Sequence, residues 1–277
     1  MRRRIDKRGS KNFDARERRS GQEQELVICG VHPVEEALGS LNRAQAAEAT
    51  LFVASSRNPK EVQKIMGLAK KLGLSAKVAE SSELDKRAVG VRHQGVILLL
   101  PPFVYADFEE ILIEAENKEN PLFLLLDQVQ DPHNLGAIIR SAAAFGVDAI
   151  MIPKDRSALI TSSSLKTSAG LAYKIPIVKI GNLAQCLKRL TKQGYHIVGA
   201  DLQGKAQSGF TWQGPHALVM GSESEGLRRL TKEHCDELIR IVHEDTVESL
   251  NVSVACAILL SQAYVKRMNA LSDESSF

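Results

Sequence analysis

Residues 121–146 read Pro121-Leu-Phe-Leu-Leu-Leu-Asp127-Gln-Val-Gln-Asp131-Pro-His-Asn134-Leu-Gly-Ala-Ile-Ile-Arg140-Ser-Ala-Ala-Ala-Phe-Gly146. Five consecutive apolar residues, Leu122–Leu126, are too few for a helix and do not alternate. They fit a strand buried on both faces. Asp131 suits a helix N-cap, Pro132 the first helical position and Gly146 the closing turn. Ile138, Ile139, Ala142 and Phe145 form one apolar stripe, with Asn134 and Arg140 off it. Working outward, Ala149–Ile152, Ile175–Ile180, His196–Ala200, Ala217–Met220 and Leu238–Val242 are further apolar runs of strand length, most of them separated by helical patterns. That alternation predicts a parallel α/β sheet covered on both faces. A terminal helix is expected from Ser249 to about Met268, with Val252–Leu260 apolar almost all round.

A smaller α/β module precedes this. Strands are expected at Leu26–Cys29, Leu51–Ala54, Ala76–Ala79 and Val96–Leu100, with helices at Val34–Leu41 and Pro59–Leu72 and a cap at Gly73. Pro101-Pro102 ends the last strand, since proline donates no ladder hydrogen bond. The expected division is a basic leader at 1–25, a first module at 26–100, a linker at 101–120 holding a weak helix at Phe108–Glu116, and a second module at 121–270.

Composition narrows the function. The chain has 277 residues, 44% hydrophobic and 25% charged, which excludes fibrous and wholly disordered classes. No apolar run nears the ~18 residues of a membrane helix, so no membrane partner is expected. Cys29, Cys186, Cys235 and Cys256 form no CxxC pair, so neither a disulfide frame nor a metal site is expected. At 5% aromatics, a stacking platform for single strands is disfavoured. Residues 1–20 hold nine Lys/Arg against three acids, a net +6, leaving −3 for the rest. This leader suits either solvation or added phosphate contacts on RNA. It has no apolar core for a signal peptide, and its acids argue against a transit peptide. A cytoplasmic protein is expected.

Three segments carry chemistry. In the first, capping accounts for Asp131 and Pro132 but not for Asn134 or for Arg140-Ser141 on an otherwise apolar helix. Asn134 falls at the carboxyl end of a strand, where ligands of such sheets bind. The second is Met220-Gly-Ser-Glu223-Ser-Glu-Gly226-Leu-Arg. Leu227-Arg228 stands where a P-loop needs Lys-Ser/Thr, and no GxGxxG follows any strand, so nucleotide cradling is disfavoured. Gly221 admits a close backbone approach to a ligand, or the segment is a Gly-Ser turn with solvated acids. The third is Ile241-Val-His-Glu-Asp-Thr-Val-Glu-Ser249-Leu-Asn251-Val-Ser-Val-Ala, with Ser249 the expected cap of the terminal helix.

In order and across 121–268, these segments resemble the three motifs of the SpoU/TrmH class of SPOUT RNA 2′-O-ribose methyltransferases. Gly30-Val-His-Pro-Val-Glu-Glu-Ala-Leu and Arg92-His-Gln-Gly95-Val, with Arg228-Arg-Leu-Thr-Lys-Glu-His-Cys-Asp-Glu-Leu-Ile239, resemble those members that methylate a guanosine ribose in 23S rRNA. The resemblance implies an α/β sheet with a deep C-terminal trefoil knot and a ribosomal-protein-like RNA-binding first module. It implies S-adenosyl-L-methionine held by backbone around Ala200, Gly221, Ile241 and Leu250. It also implies a homodimer, no metal, and catalytic work by Asn134, Arg140, Glu223, Ser249 and Asn251, with Arg140 activating the target 2′-hydroxyl; since an Arg is a poor base, orienting the adjacent phosphate is the role expected of it here. Arg92, His93 and Gln94 become expected RNA contacts, or else close a turn. Ser224 replaces a usual Gly, Val242-His243 a usual Pro-Met, and Asp245 a usual Gly, all near the cofactor loops. A tRNA ribose methyltransferase of the same class and a non-catalytic RNA-binding relative are the alternatives.

Overall fold

The computed structural model describes residues 25–274 except Val89 and Asp245; the basic leader, apart from Glu25, lies outside the described residues. The chain runs β1 (Leu26–Cys29), α1 (Val31–Ser40), α2 (Arg43–Ala47), β2 (Thr50–Ala54), α3 (Gln63–Leu72), β3 (Ala76–Ala79), α4 (Ser81–Arg87) and β4 (Val96–Leu100). It continues through α5 (Phe108–Glu116), β5 (Leu122–Leu126), α6 (Pro132–Ala144), β6 (Ala149–Pro153), α7 (Ser162–Thr167), β7 (Ile177–Ile180) and α8 (Leu183–Lys192). β8 (His196–Ala206), β9 (His216–Met220), α9 (Arg229–Lys232), β10 (Glu237–Arg240) and α10 (Val252–Glu274) complete it.

The first module is a four-stranded sheet of order β1-β4-β2-β3. β4 is antiparallel to both neighbours, and β2 and β3 are parallel. Gly73 closes α3 at φ 78°, as its sequence position requires. The second module is a six-stranded sheet of order β10-β8-β9-β5-β6-β7. All its ladders are parallel, as the apolar runs imply. Alternate residues of β5 serve opposite faces: Leu122, Leu124 and Leu126 join one core, Phe123 and Leu125 the other. The first core continues into the first module through Leu26, Ile28 and Val34. Helix α5 buries Ile111, Leu112 and Ala115 on the second.

Three sequence expectations shift. Residues 59–72 form a 3₁₀ turn at Pro59–Glu61 before α3 rather than one continuous helix. Strand β7 starts at Ile177, after Pro176. Strand β8 runs six residues past Ala200 because its tail pairs again with β10: Glu237 and Leu238 face Val198 and Gly199, then Ile239 and Arg240 face Lys205 and Ala206. Residues 200–204 are thereby bypassed. This bulge is possible because its flanks are glycines. A Cβ on Gly204 would sit 2.5 Å from the Leu238 carbonyl carbon, and one on Gly199 2.7 Å from Leu238 Cδ2.

Candidate active site

The three chemistry-bearing segments end at one edge of the second sheet, the carboxyl ends of β5, β9 and β10. Asp131 caps α6 by accepting from the His133 amide at 2.9 Å, with Pro132 at the first position, as expected. This places Asn134 in the first turn. Its Nδ2 donates to Glu223 Oε1 at 2.6 Å, and its Oδ1 accepts from Asn251 Nδ2 at 3.1 Å. Both ends of one amide are thus engaged, one by each of the other two segments.

Asn251 also starts the terminal helix, where its Oδ1 accepts from the Ser253 and Val254 amides. The cap expected at Ser249 therefore falls two residues later. α10 begins at Val252, and a side chain at 249 is too far upstream to reach the first free amides. Ser249 instead lines a hollow of about 430 Å³ with Glu223, Gly221, Ala200, Ile241 and Leu250. That size suits a small-molecule site. The bypassed β8 residues supply one wall and the Gly221–Gly226 loop another. A Cβ on Gly221 would lie 2.2 Å from the Gly226 carbonyl carbon, so only glycine lets these strands of backbone meet. Asp201, Glu223, Glu225 and Glu248 outnumber Lys232 and Arg240 on the walls, and Lys232 is held by Asp201 at 2.6 Å. The surplus of carboxylates favours a cationic ligand, which fits the sulfonium of S-adenosyl-L-methionine.

Arg140 does not join the amide cluster. It is exposed, and its side chain has no hydrogen bond or ion pair among the described residues. Six helical positions carry it about 9 Å along α6 from Asn134 and about 120° around. Two of the three expected RNA contacts in the first module are used internally. His93 accepts from the Gly95 amide at Nδ1 and bonds Asp85 at 3.0 Å through Nε2, and Gln94 accepts from the Val31 amide. Arg92 is exposed.

Sequence reasoning missed the support behind the cluster. Asp127 is fully buried at the end of β5. Its Oδ1 accepts from Arg228 Nε at 2.7 Å, and its Oδ2 accepts from the Arg228 amide at 3.1 Å and Thr231 Oγ1 at 2.6 Å. This grip joins the first segment to the base of the second. A lone carboxylate ending a run of five apolar residues was the available signal. His133, also missed, bonds Thr167 and Ser163 and so ties the start of α6 to α7. The Cys235 thiol beside this grip stays protonated: burial, reinforced by Asp236, Asp127 and Asp201, pushes it up to about 12. No group of three metal-ligating side chains occurs among the described residues.

A covered parallel sheet, a hollow at its carboxyl edge and a three-segment amide cluster define an α/β enzyme with a small-molecule site suited to a cationic ligand. Residues 121–261 match the SpoU rRNA Methylase family, and residues 27–106 match the family described as RNA 2′-O ribose methyltransferase substrate binding. The chain belongs to the SpoU rRNA methylase family. It is 42% identical over 252 residues to the 23S rRNA (guanosine-2′-O-)-methyltransferase RlmB of Xanthomonas campestris pv. campestris, covering 89% of this chain and 99% of that protein. It is 40% identical to the enzyme of the same name from Haemophilus influenzae, covering 88% and 98%. Among solved structures it resembles the SpoU methyltransferase AviRb of Streptomyces viridochromogenes in complex with AdoMet, with TM-score 0.70, 21% identity and 94% of each chain covered. This last likeness concerns the fold.

Proposed function

We propose that this protein transfers a methyl group from S-adenosyl-L-methionine to a ribose 2′-oxygen of a guanosine in 23S rRNA. The observation that carries the reading is the Asn134 amide, held between Glu223 and Asn251 at the rim of a carboxylate-rich hollow. Backbone around Ala200, Gly221, Ile241 and Leu250 would hold the cofactor, which supplies an electrophilic methyl when bound. The chain's own task is to place the ribose hydroxyl in line and ease loss of its proton. Asn134, Glu223, Ser249 and Asn251 position the ribose. Arg140, about one and two-thirds turns further along α6, meets the neighbouring phosphate and lowers the hydroxyl's pKa electrostatically; its guanidinium is too weak an acid to be deprotonated and act as a base itself.

Homodimerisation belongs to the same reading. Val254, Ile258, Val265 and Met268 are exposed apolar residues along α10, which suits a two-fold interface. So do the trefoil knot and the docking of structured RNA by residues 26–100 ahead of the 121–270 catalytic module. A cytoplasmic site of action accords with an rRNA substrate, and no helix among the described residues is long and apolar enough to cross a membrane. The test is to map 2′-O-methylated riboses on 23S rRNA and tRNA with and without the gene, alongside calorimetric titration with S-adenosylhomocysteine. Loss of one 23S guanosine mark and cofactor binding are expected. A lost tRNA mark would move the substrate, and no cofactor binding would leave the non-catalytic alternative.

A further inference from the structure

We infer that Arg228 is a substrate-phosphate receptor, pre-aimed by the buried carboxylate of Asp127. The inference rests on the RNA substrate proposed above and goes beyond it by naming a contact.

Three observations carry it. Arg228 is gripped at two points by a single group: its backbone amide and its Nε both donate to Asp127, which is fully buried. The Nε contact orients the guanidinium plane and spends only one of its five N–H donors. The side chain is still 43% exposed, and neither Nη has a partner among the described residues. Four donors in a fixed planar fork, backed by a carboxylate and open to solvent, suit the paired oxygens of a phosphodiester. Arg228 closes the loop after β9, which carries Glu223, and reaches Asp127 at the start of the loop after β5, which leads to Asn134. It therefore sits on the sheet edge where the target ribose must arrive. Its neighbour Arg229 differs, since it pairs with Glu233 on its own helix at 2.9 Å. A residue serving only to fasten the loop would need the Nε contact but no open fork.

The test is RNA binding by the full chain across a salt series, with Arg228→Gln and Thr231→Val as the variants. Thr231→Val loosens the same buried carboxylate without removing a charge. Arg228→Gln should weaken RNA binding about tenfold at 0.1 M salt and reduce the slope of log K against log salt by about 0.7, one phosphate's share on single-stranded RNA. Binding of S-adenosylhomocysteine should stay within twofold, and Thr231→Val should leave the slope unchanged. An unchanged slope in Arg228→Gln, or an equal change in Thr231→Val, would overturn the inference. A second arm uses only the wild-type chain. RNA with a neutral methylphosphonate at each linkage flanking the methylated ribose should contain one position that costs the same factor, and its absence would equally overturn the assignment. Wild-type methyl transfer in the same samples reports separately on the proposed function.

Discussion

Asn134 and Glu223 are 89 positions apart in sequence, yet their side chains meet at 2.6 Å, amide nitrogen to carboxylate oxygen. Adjacent parallel pairing of β5 with β9, in the register Leu126 to Met220, brings the two loops side by side. The Asn134 amide can donate to Glu223 and accept from Asn251 at once only in one orientation. The cluster therefore specifies geometry as well as proximity.

Replacing that amide by a carboxylate should show its role. Asn134→Asp sets two negative groups against each other and removes the donor to Glu223. Methyl transfer should fall about 10²-fold, the scale of a misplaced reacting group, while cofactor affinity stays within a fewfold. A tritiated-methyl assay at saturating RNA checks this, and an unaltered rate would remove Asn134 from the site.

Asn251 has two jobs that substitution can separate. Asn251→Ala loses the helix cap, worth about 1 kcal/mol, and should lower Tm by roughly 2–4 °C as well as slowing transfer. Asn251→Asp keeps a capping oxygen but loses the donor to Asn134, so Tm should hold while transfer slows. Equal Tm losses in both variants would show that capping is not what Asn251 contributes.

Gly136 marks the tightest helix contact beside the site. A Cβ there would lie 2.6 Å from Thr167 Cβ and 2.7 Å from the Ser164 carbonyl oxygen. Gly136→Ala should destabilise by about 1–3 kcal/mol through overpacking of α6 on α7. Denaturant unfolding measures this, and a neutral result would mean that α7 yields freely.

His216 gives a pH signature. Burial holds its pKa below the usual 6.5, with His196 and Arg267 adding to the effect and the bond from Nδ1 to the Gly214 carbonyl opposing it. The folded chain thus binds the proton less readily than the unfolded chain. Stability should be level above about pH 6.5, decline as pH drops below that unfolded value, and level off only once the lower folded value is passed. His216→Gln should flatten part of that decline in Tm measured between pH 7 and 5. An identical pH profile in the variant would assign the decline to other groups.

Much of the scaffold was legible because its signals are local. Leu122–Leu126 had to be a doubly buried strand, Asp131-Pro132 had to open a helix, and Val96–Leu100 had to stop at a proline pair. The site was half legible. Asn134 stood out as a polar residue that capping did not explain, whereas Glu223 and Asn251 were marked only by the family resemblance. Ser249 was misjudged as the cap because two plausible N-cap residues lie two positions apart, and spacing alone does not rank them. For His93 and Gln94 the choice between RNA contact and turn closure stayed open, because the left-handed backbone at Gln94, φ 51°, leaves no mark in sequence.

The sequence by itself determined the strands, the parallel sheet, the order of the segments and the candidate polar side chains, because burial periodicity and caps depend on neighbours a few residues away. Only the tertiary structure decided that β8 skips residues 200–204 to open the hollow, that Asn134 bridges Glu223 and Asn251, and that Asp127 grips Arg228. These depend on register and close backbone approach between segments about 35 to 117 residues apart, where the pairing is set by the packing of the whole sheet.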